Sequence, residues 1–360
     1  MKVVLLIHQP QARGQEIFAS LLGNALIQKG HEVLLISMYS GDFDLPFEGK
    51  HLRLQLNRSI DSINPLNWKR FSEEVREFQP DIVQANGGDT LKFAVLARLM
   101  FWYPGKLVFN NGGVVSFYLD GVIKKRFYRL VLSKIDGAVS VSQHAAGDLS
   151  QYMSKAIPQT QIPIALHSSK LPKLASSQGY PVFVHIAGFT PEKNHRELFL
   201  IFSSYLTVHP KAQLWMIGDG PMRAELERLA RSISEGSFRF FGVLNDPWQT
   251  VPQHSILLLP SQIEGMPSVL AEAMLLKVPV IAYAVGGIPE MATDSISFRM
   301  IQASDSAAFL QAMFDLSELR FSVLETALEA RKELAASRFS LEKVSEEFVR
   351  FYRSLCESSK

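Results

Sequence analysis

The sequence holds a single cysteine, Cys356, in 360 residues. No disulfide can close within the chain, which suits a reducing, cytoplasmic compartment. It lacks any run of 18 or more apolar residues, so no segment reads as a spanning helix. The opening residues 1–7 are apolar, but no small-residue cleavage site follows them, and a buried first strand explains them better than a secretory leader. An excess of one charge is missing too: 37 Lys and Arg face 35 Asp and Glu, a net charge of +2. That balance excludes a global basic field for nucleic acid, so any basic surface is local. No G-x-G-x-x-G follows a strand-like run, which disfavours a dinucleotide oxidoreductase. Repeats and low-complexity tracts are absent as well.

What is present is globular. Hydrophobic residues make up 47% and charged residues 20% of a chain long enough for two domains. Short runs rich in Val, Ile and Leu read as strands at 2–7, 32–37, 81–85, 106–109 and 137–141, and again at 182–187, 213–217, 255–259 and 278–282. Such unbroken apolar runs fit parallel strands covered on both faces. Helical patterns lie between them at 15–28, 91–100, 192–206 and 222–232. This alternation predicts an α/β class with two Rossmann-like, doubly wound parallel-sheet domains facing across a cleft. The expected boundaries are an N-terminal domain at 1–165, a linker at 166–180 that carries Ser168-Ser169 and Ser176-Ser177, a C-terminal domain at 181–339 and a final helix at 340–360.

Ligands of open α/β sheets bind beyond the carboxyl ends of strands, so chemistry is sought in the loops that follow them. The richest segment runs from Ser255 to Ala282. A buried strand ends at Pro260, Glu264 lies in the loop after it, and Pro267 stands near the first turn of a helix that carries Glu272. Gly265 permits close approach of a ligand. The helix N-terminus offers free N–H groups and partial positive charge to a diphosphate. Carboxylates accept pairs of hydrogen bonds from vicinal hydroxyls. Two glutamates at this spacing also fit a capped helix with one incidental surface Glu. The flanks add weight, because the next strand runs into a second glycine loop, Gly286-Gly287-Ile288-Pro289-Glu290.

P-S-x-x-E-G-M-P-S-V-L-A-E-A-M, followed by P-V-I-A-Y-A-V-G-G-I-P-E, resembles the donor-site core of glycosyltransferase family 4, retaining enzymes of the GT-B fold. The resemblance implies that Glu264 meets the donor sugar and Glu272 the ribose. It places the backbone of Gly265, Met266 and Pro267 along the sugar pocket and Leu270 among the donor-binding residues. Ala187-Gly188-Phe189-Thr190-Pro191-Glu192-Lys193-Asn194-His195 is similar to the family's G-R-x-x-P-E-K-N-H element. Lys193 then matches the phosphate-binding lysine, and Gly188 stands where the family usually has Arg. Gly218 belongs to a G-D-G-P turn, and Gly242 ends an F-F-G strand whose backbone meets the base.

In the first half, Arg13-Gly14 before a helix resembles the family's glycine pair at the donor phosphates, and Gly30 with His31 reads as a helix stop. Asn111, beside Asn110 and ahead of Gly112-Gly113, falls where many relatives place a His toward the reacting sugar. Lys193, Glu264 and Asn111 are thus the expected catalytic group. Ser140-Val141-Ser142 is expected to be structural. The final helix is expected to brace the first domain.

The resemblance implies retaining transfer of a hexose-type sugar from a UDP- or GDP-sugar to a glycan or lipid-linked acceptor, in bacterial surface polysaccharide or lipopolysaccharide assembly. It implies no cofactor and no metal; Asp42-Phe43-Asp44 is a D-x-D too short to be specific and in the wrong half. Two patches, 122–129 (Val-Ile-Lys-Lys-Arg-Phe-Tyr-Arg) and 99–103 (Leu-Met-Phe-Trp-Tyr), suggest peripheral contact with the anionic inner face of a plasma membrane. They equally fit a helix with a solvated basic face and a buried apolar one. Two rivals stay open: a non-catalytic sugar-nucleotide or glycan-binding protein, kept alive by Gly188 and Asn111, and a sugar-nucleotide epimerase, for which no acid–base pair is evident. No motif for pyridoxal phosphate supports a phosphorylase.

Overall fold

The computed structural model describes residues 1–166, 172–177, 179–292 and 294–357. The chain divides into two compact units, Met1–Leu166 with Phe339–Lys360, and His167–Arg338.

The first unit is built on seven strands: β1 (Lys2–Ile7), β2 (Glu32–Tyr39), β3 (Lys50–Leu56), β4 (Ile82–Asn86), β5 (Lys106–Asn111), β6 (Gly137–Ser140) and β7 (Gln159–Gln161). All pair in parallel, in the order β3-β2-β1-β4-β5-β6-β7. The connecting helices are α1 (Gly14–Gln28), α2 (Pro65–Phe78), α3 (Gly88–Phe101), α4 (Gly121–Leu132) and α5 (Gln143–Ser150). Helices cover both faces, so Val3 to Ile7 of β1 are fully buried and carry no alternation. Edge strand β3 is different: its sequence alternates and its burial alternates with it, so no apolar run marked it. The last helix, Leu341–Glu357, packs on this unit through Val344, Phe348, Tyr352 and Leu355. A Cβ at Gly137 of β6 would come within 2.8 Å of the Leu355 side chain, so the bare glycine lets the helix approach. Tyr352 also donates its hydroxyl to Gln84 of β4.

The second unit has six parallel strands: β8 (Val182–Ile186), β9 (Gln213–Ile217), β10 (Phe238–Gly242), β11 (Ile256–Leu259), β12 (Val280–Tyr283) and β13 (Phe298–Ile301). Their order is β10-β9-β8-β11-β12-β13. Its helices are α6 (His195–Leu206), α7 (Arg223–Ile233), α8 (Ser268–Leu275), α9 (Ser306–Glu318) and α10 (Phe321–Arg338). In each sheet the chain winds outward one way, returns to the centre and winds out the other way. The reversals fall between β1 and β4 and between β8 and β11.

One expectation needs correction. The helix expected over 192–206 begins only at His195. Pro191–Lys193 form a separate turn of 3-10 helix, and Asn194 takes a left-handed conformation (φ 59°) that breaks the run. Lys193 therefore sits on a loop. Within the expected linker, residues 167–171 and 178 lie outside the described residues. Leu166 pairs with Ser340, and Ala175 is bonded on both sides, its N–H to Val251 O at 2.9 Å and its carbonyl from Gln253 N at 2.8 Å.

Candidate functional site

At the reversal between β8 and β11 the loops after the two strands are tied together. The loop after β8 spans 187–194 and the loop after β11 spans 260–267. Three links join them. Lys193 Nζ lies 2.6 Å from Glu264 Oε1, Gln262 N–H donates to Glu192 O at 2.8 Å, and Asn194 Nδ2 donates to Pro260 O at 3.2 Å. Glu264 is only 8% exposed, and Lys193 is the cation paired with it. Its backbone is held from the other side by the glycine loop after β12. Gly286 has φ +55°, and a Cβ there would stand 1.6 Å from Glu264 O, while Gly287 N–H donates to the same carbonyl at 3.3 Å. Only glycine fits both the conformation and the approach.

Helix α8 starts directly after this loop. Pro267 is its N-cap residue and no side chain caps its first turn, which leaves backbone N–H groups available at the reversal. Gly265 and Met266 are buried beside it, and Leu270 is fully enclosed. The Leu270 side chain belongs to the packing beneath α8. Glu272 follows on the same helix. Burial pushes its carboxyl above the usual range, opposed by hydrogen bonds from Trp248 and Ser268. Trp248 Nε1 donates to Glu272 Oε2 at 2.7 Å. This tryptophan went unnoticed in the sequence; a Pro-Trp pair in a polar loop belongs to no motif.

Gly218 and Gly242 lie at the ends of β9 and β10, beside the loop after β8. Gly218 has φ +135°, and a Cβ on it would stand 1.9 Å from Ala187 O; its N–H donates to Gly242 O at 2.8 Å. Arg223 at the start of α7 reaches toward Gly242, held by Asp219 at 2.9 Å and Glu227 at 2.8 Å. Gly188 is unlike these. An added Cβ would meet only Asp219 O, at an ordinary 3.9 Å, so the position accepts a side chain.

Beneath the loops, His185 and His195 pack edge-to-face at 4.8 Å. Burial pulls their pKa down to about 4 and about 2 respectively. Both are neutral at physiological pH, and His185 Nδ1 donates to the carbonyl of Leu258 at 2.8 Å. They are supports for the Lys193 loop rather than acid–base groups.

Two expected site residues belong to the first unit. Gly14 is the first residue of α1 and is exposed, behind an Arg13 that makes no side-chain cap. Asn111 was expected at a loop tip; it is the last residue of β5, because Asn110 and Asn111 continue the pairing with β6. It is 3% exposed, donates to Ala145 O at 3.4 Å and accepts from Gly113 N–H at 3.4 Å. Its amide thus braces the Gly112-Gly113 loop against α5. Ser142 caps α5 by accepting from Ala145 N–H at 3.1 Å, a structural role. Gly30, at φ +80°, ends α1. Among the described residues, no three His, Cys, Asp or Glu side chains group as a metal site, and no helix is long and apolar enough to cross a membrane.

Residues 12–164 match the model of Glycosyltransferase Family 4, and residues 180–318 match that of Glycosyl transferases group 1. The chain is 26% identical over 188 residues to N-acetyl-alpha-D-glucosaminyl L-malate synthase of Bacillus anthracis, covering 51% of this chain and 48% of that protein. It is 28% identical over 179 residues to a GDP-mannose-dependent monoacylated alpha-(1-6)-phosphatidylinositol monomannoside mannosyltransferase of Corynebacterium glutamicum, covering 47% and 45%. The chain therefore spans about half the length of these curated relatives. In fold it is similar to Anabaena HepE, crystallised with UDP and glucose, at a TM-score of 0.80 and 16% identity over 98% of this chain and 100% of that one. With both sheets doubly wound and both halves matched, the chain belongs to glycosyltransferase family 4 and has the GT-B type of fold.

Proposed function

We propose that the chain transfers a hexose-type sugar, with retention, from a nucleotide diphosphate sugar to a glycan or lipid-linked acceptor. The observation that carries this reading is the Lys193–Glu264 pair, held across the reversal of the second sheet beside the uncapped start of α8. A departing diphosphate needs positive charge that is already in place. Lys193 and the α8 N–H groups supply it without rearrangement of solvent. When the diphosphate engages Lys193, Glu264 gains acceptor capacity for a sugar hydroxyl, and Glu272 accepts from the ribose. The leaving phosphate then takes the acceptor proton on the same face as the departing bond. No metal is assigned a role. Support for a UDP- or GDP-sugar comes from the UDP held by HepE and the GDP-mannose named for the mannosyltransferase. Assembly of bacterial surface polysaccharide or lipopolysaccharide is the setting we propose. Release of nucleotide diphosphate from a panel of UDP- and GDP-sugars, with EDTA present, tests the proposal. Release from one donor is expected; no release from any donor contradicts it and favours a binding protein.

Gly188 is the feature that favours that second reading, since one cation of the family pattern is missing there. The space at Gly188 makes this testable. Gly188→Arg adds one charge-assisted contact and is expected to raise transfer about tenfold or more. Single-turnover rates check it, and an unchanged rate means that the second cation is not limiting.

The peripheral membrane contact is likewise proposed for α4. Val122, Ile123, Phe127 and Leu130 stand exposed, Ile123 at 84%, interleaved with exposed Lys124, Lys125 and Arg126. Phe117 and Tyr118 lie exposed just ahead of the helix. Apolar side chains among cations suit the boundary of an anionic bilayer. Sedimentation with phosphatidylglycerol vesicles that weakens with salt is expected, and protein left in the supernatant at low salt contradicts the contact.

A further inference from the structure

Trp248 lies in a short 3-10 turn, Pro247–Gln249, between β10 and β11. Its indole is 1% exposed, yet its one polar atom is aimed at a carboxylate, Nε1 to Glu272 Oε2 at 2.7 Å. An indole N–H only donates, so the direction of this bond is certain. Packing alone would be served by phenylalanine. The N–H holds one oxygen of Glu272 in a fixed place and leaves the other lone pairs oriented. A rigid carboxylate is what recognition of a vicinal diol needs, because two hydroxyls must find acceptors at set positions. Resting on the nucleotide-donor reading above, we infer that Trp248 is a positioning residue. It orients Glu272 so that the site distinguishes a ribonucleotide from its 2′-deoxy counterpart. The chemistry of Glu272 agrees: burial works against its charge, and the indole bond works for it, against the neighbouring Asp246.

The test compares affinities of UDP, GDP and their 2′-deoxy forms by calorimetry, in wild type, Trp248→Phe and Glu272→Gln. In wild type the preferred base is expected to show a ribo preference of about tenfold to a hundredfold, the range of a hydrogen bond to a charged group. In Trp248→Phe the preference falls to within about threefold, while the deoxy affinity changes little, because only hydroxyl recognition is lost. A merely structural role would weaken both forms equally and keep the ratio, and that result overturns the inference. Should Trp248→Phe fail to fold, Trp248→His keeps a ring N–H at smaller volume and is expected to retain part of the preference; a ratio of one in folded Trp248→His counts against the inference. Wild type that binds ribo and deoxy forms alike overturns the inference alone. Wild type that binds neither overturns the donor reading and this inference with it.

Discussion

Lys193→Ala is expected to lower transfer about a hundredfold to a thousandfold, the loss typical of removing one preorganised group from a developing anion. Lys193 reaches the reversal of the second sheet from a loop, not from a helix, because Asn194 breaks the helical run just after it. The substitution has a second effect. Glu264 has its cation 2.6 Å away and is nearly enclosed, so alanine at 193 strands a buried carboxylate. Breaking a fully buried pair costs about 3–5 kcal/mol; the cost here is smaller, since Lys193 keeps a fifth of its side chain in water. A lower melting temperature is therefore expected along with the lower rate. Single-turnover measurements on protein shown to be folded separate the two. An unchanged rate in folded Lys193→Ala places the diphosphate elsewhere.

Glu272→Ala is expected to weaken nucleotide binding about tenfold to a hundredfold, the value of hydrogen bonds to a charged acceptor. Transfer at saturating donor changes less, because Glu272 meets the handle of the donor and not the bond that breaks. Glu264→Ala is expected to show the reverse pattern, with binding nearly kept and transfer lost. Calorimetry and rates on the same preparations check both. Removing Glu272 also orphans the indole N–H of Trp248, so a loss of about 1–3 kcal/mol in stability accompanies the loss of affinity. Glu272→Ala that binds nucleotide as wild type does removes the ribose role. Acidification acts in the same direction. The carboxyl of Glu272 takes up its proton at higher pH than an ordinary glutamate, and a protonated carboxyl accepts fewer hydrogen bonds.

The central strands were legible because burial on both faces writes itself as apolar runs. Lys2–Ile7 and Gln213–Ile217 are found in the structure at the residues expected. The glutamates at 264 and 272 stand out as candidates in the sequence because a strand end, two glycine loops and a helix start lie at fixed spacing around them. Other features carry no such mark. Edge strand β3 alternates polar and apolar residues, and edge strand β13 is only four residues long with a single fully buried one. The break at Asn194 depends on a left-handed backbone that Asn tolerates without demanding. Asn111 was expected at a loop tip because the resemblance sets it where relatives carry a His; here Asn110 bonds to Asn86 of the neighbouring strand β4 and Asn111 to Ala145 of a neighbouring helix. Trp248 was hidden for a different reason. Its partner lies 24 positions away, and nothing local in Asp-Pro-Trp-Gln signals a buried donor.

The most direct measurement is the melting temperature of the wild-type chain with UDP, GDP and ADP, each with EDTA and again with added magnesium. A ligand that binds only the folded state raises its stability, by about 2.7 kcal/mol at a hundred times the dissociation constant. The account predicts a clear rise with one uridine or guanosine diphosphate, and the same rise when EDTA removes metal. No rise with any of the three, in protein that melts cooperatively, contradicts a nucleotide donor site at Lys193, Glu264 and Glu272.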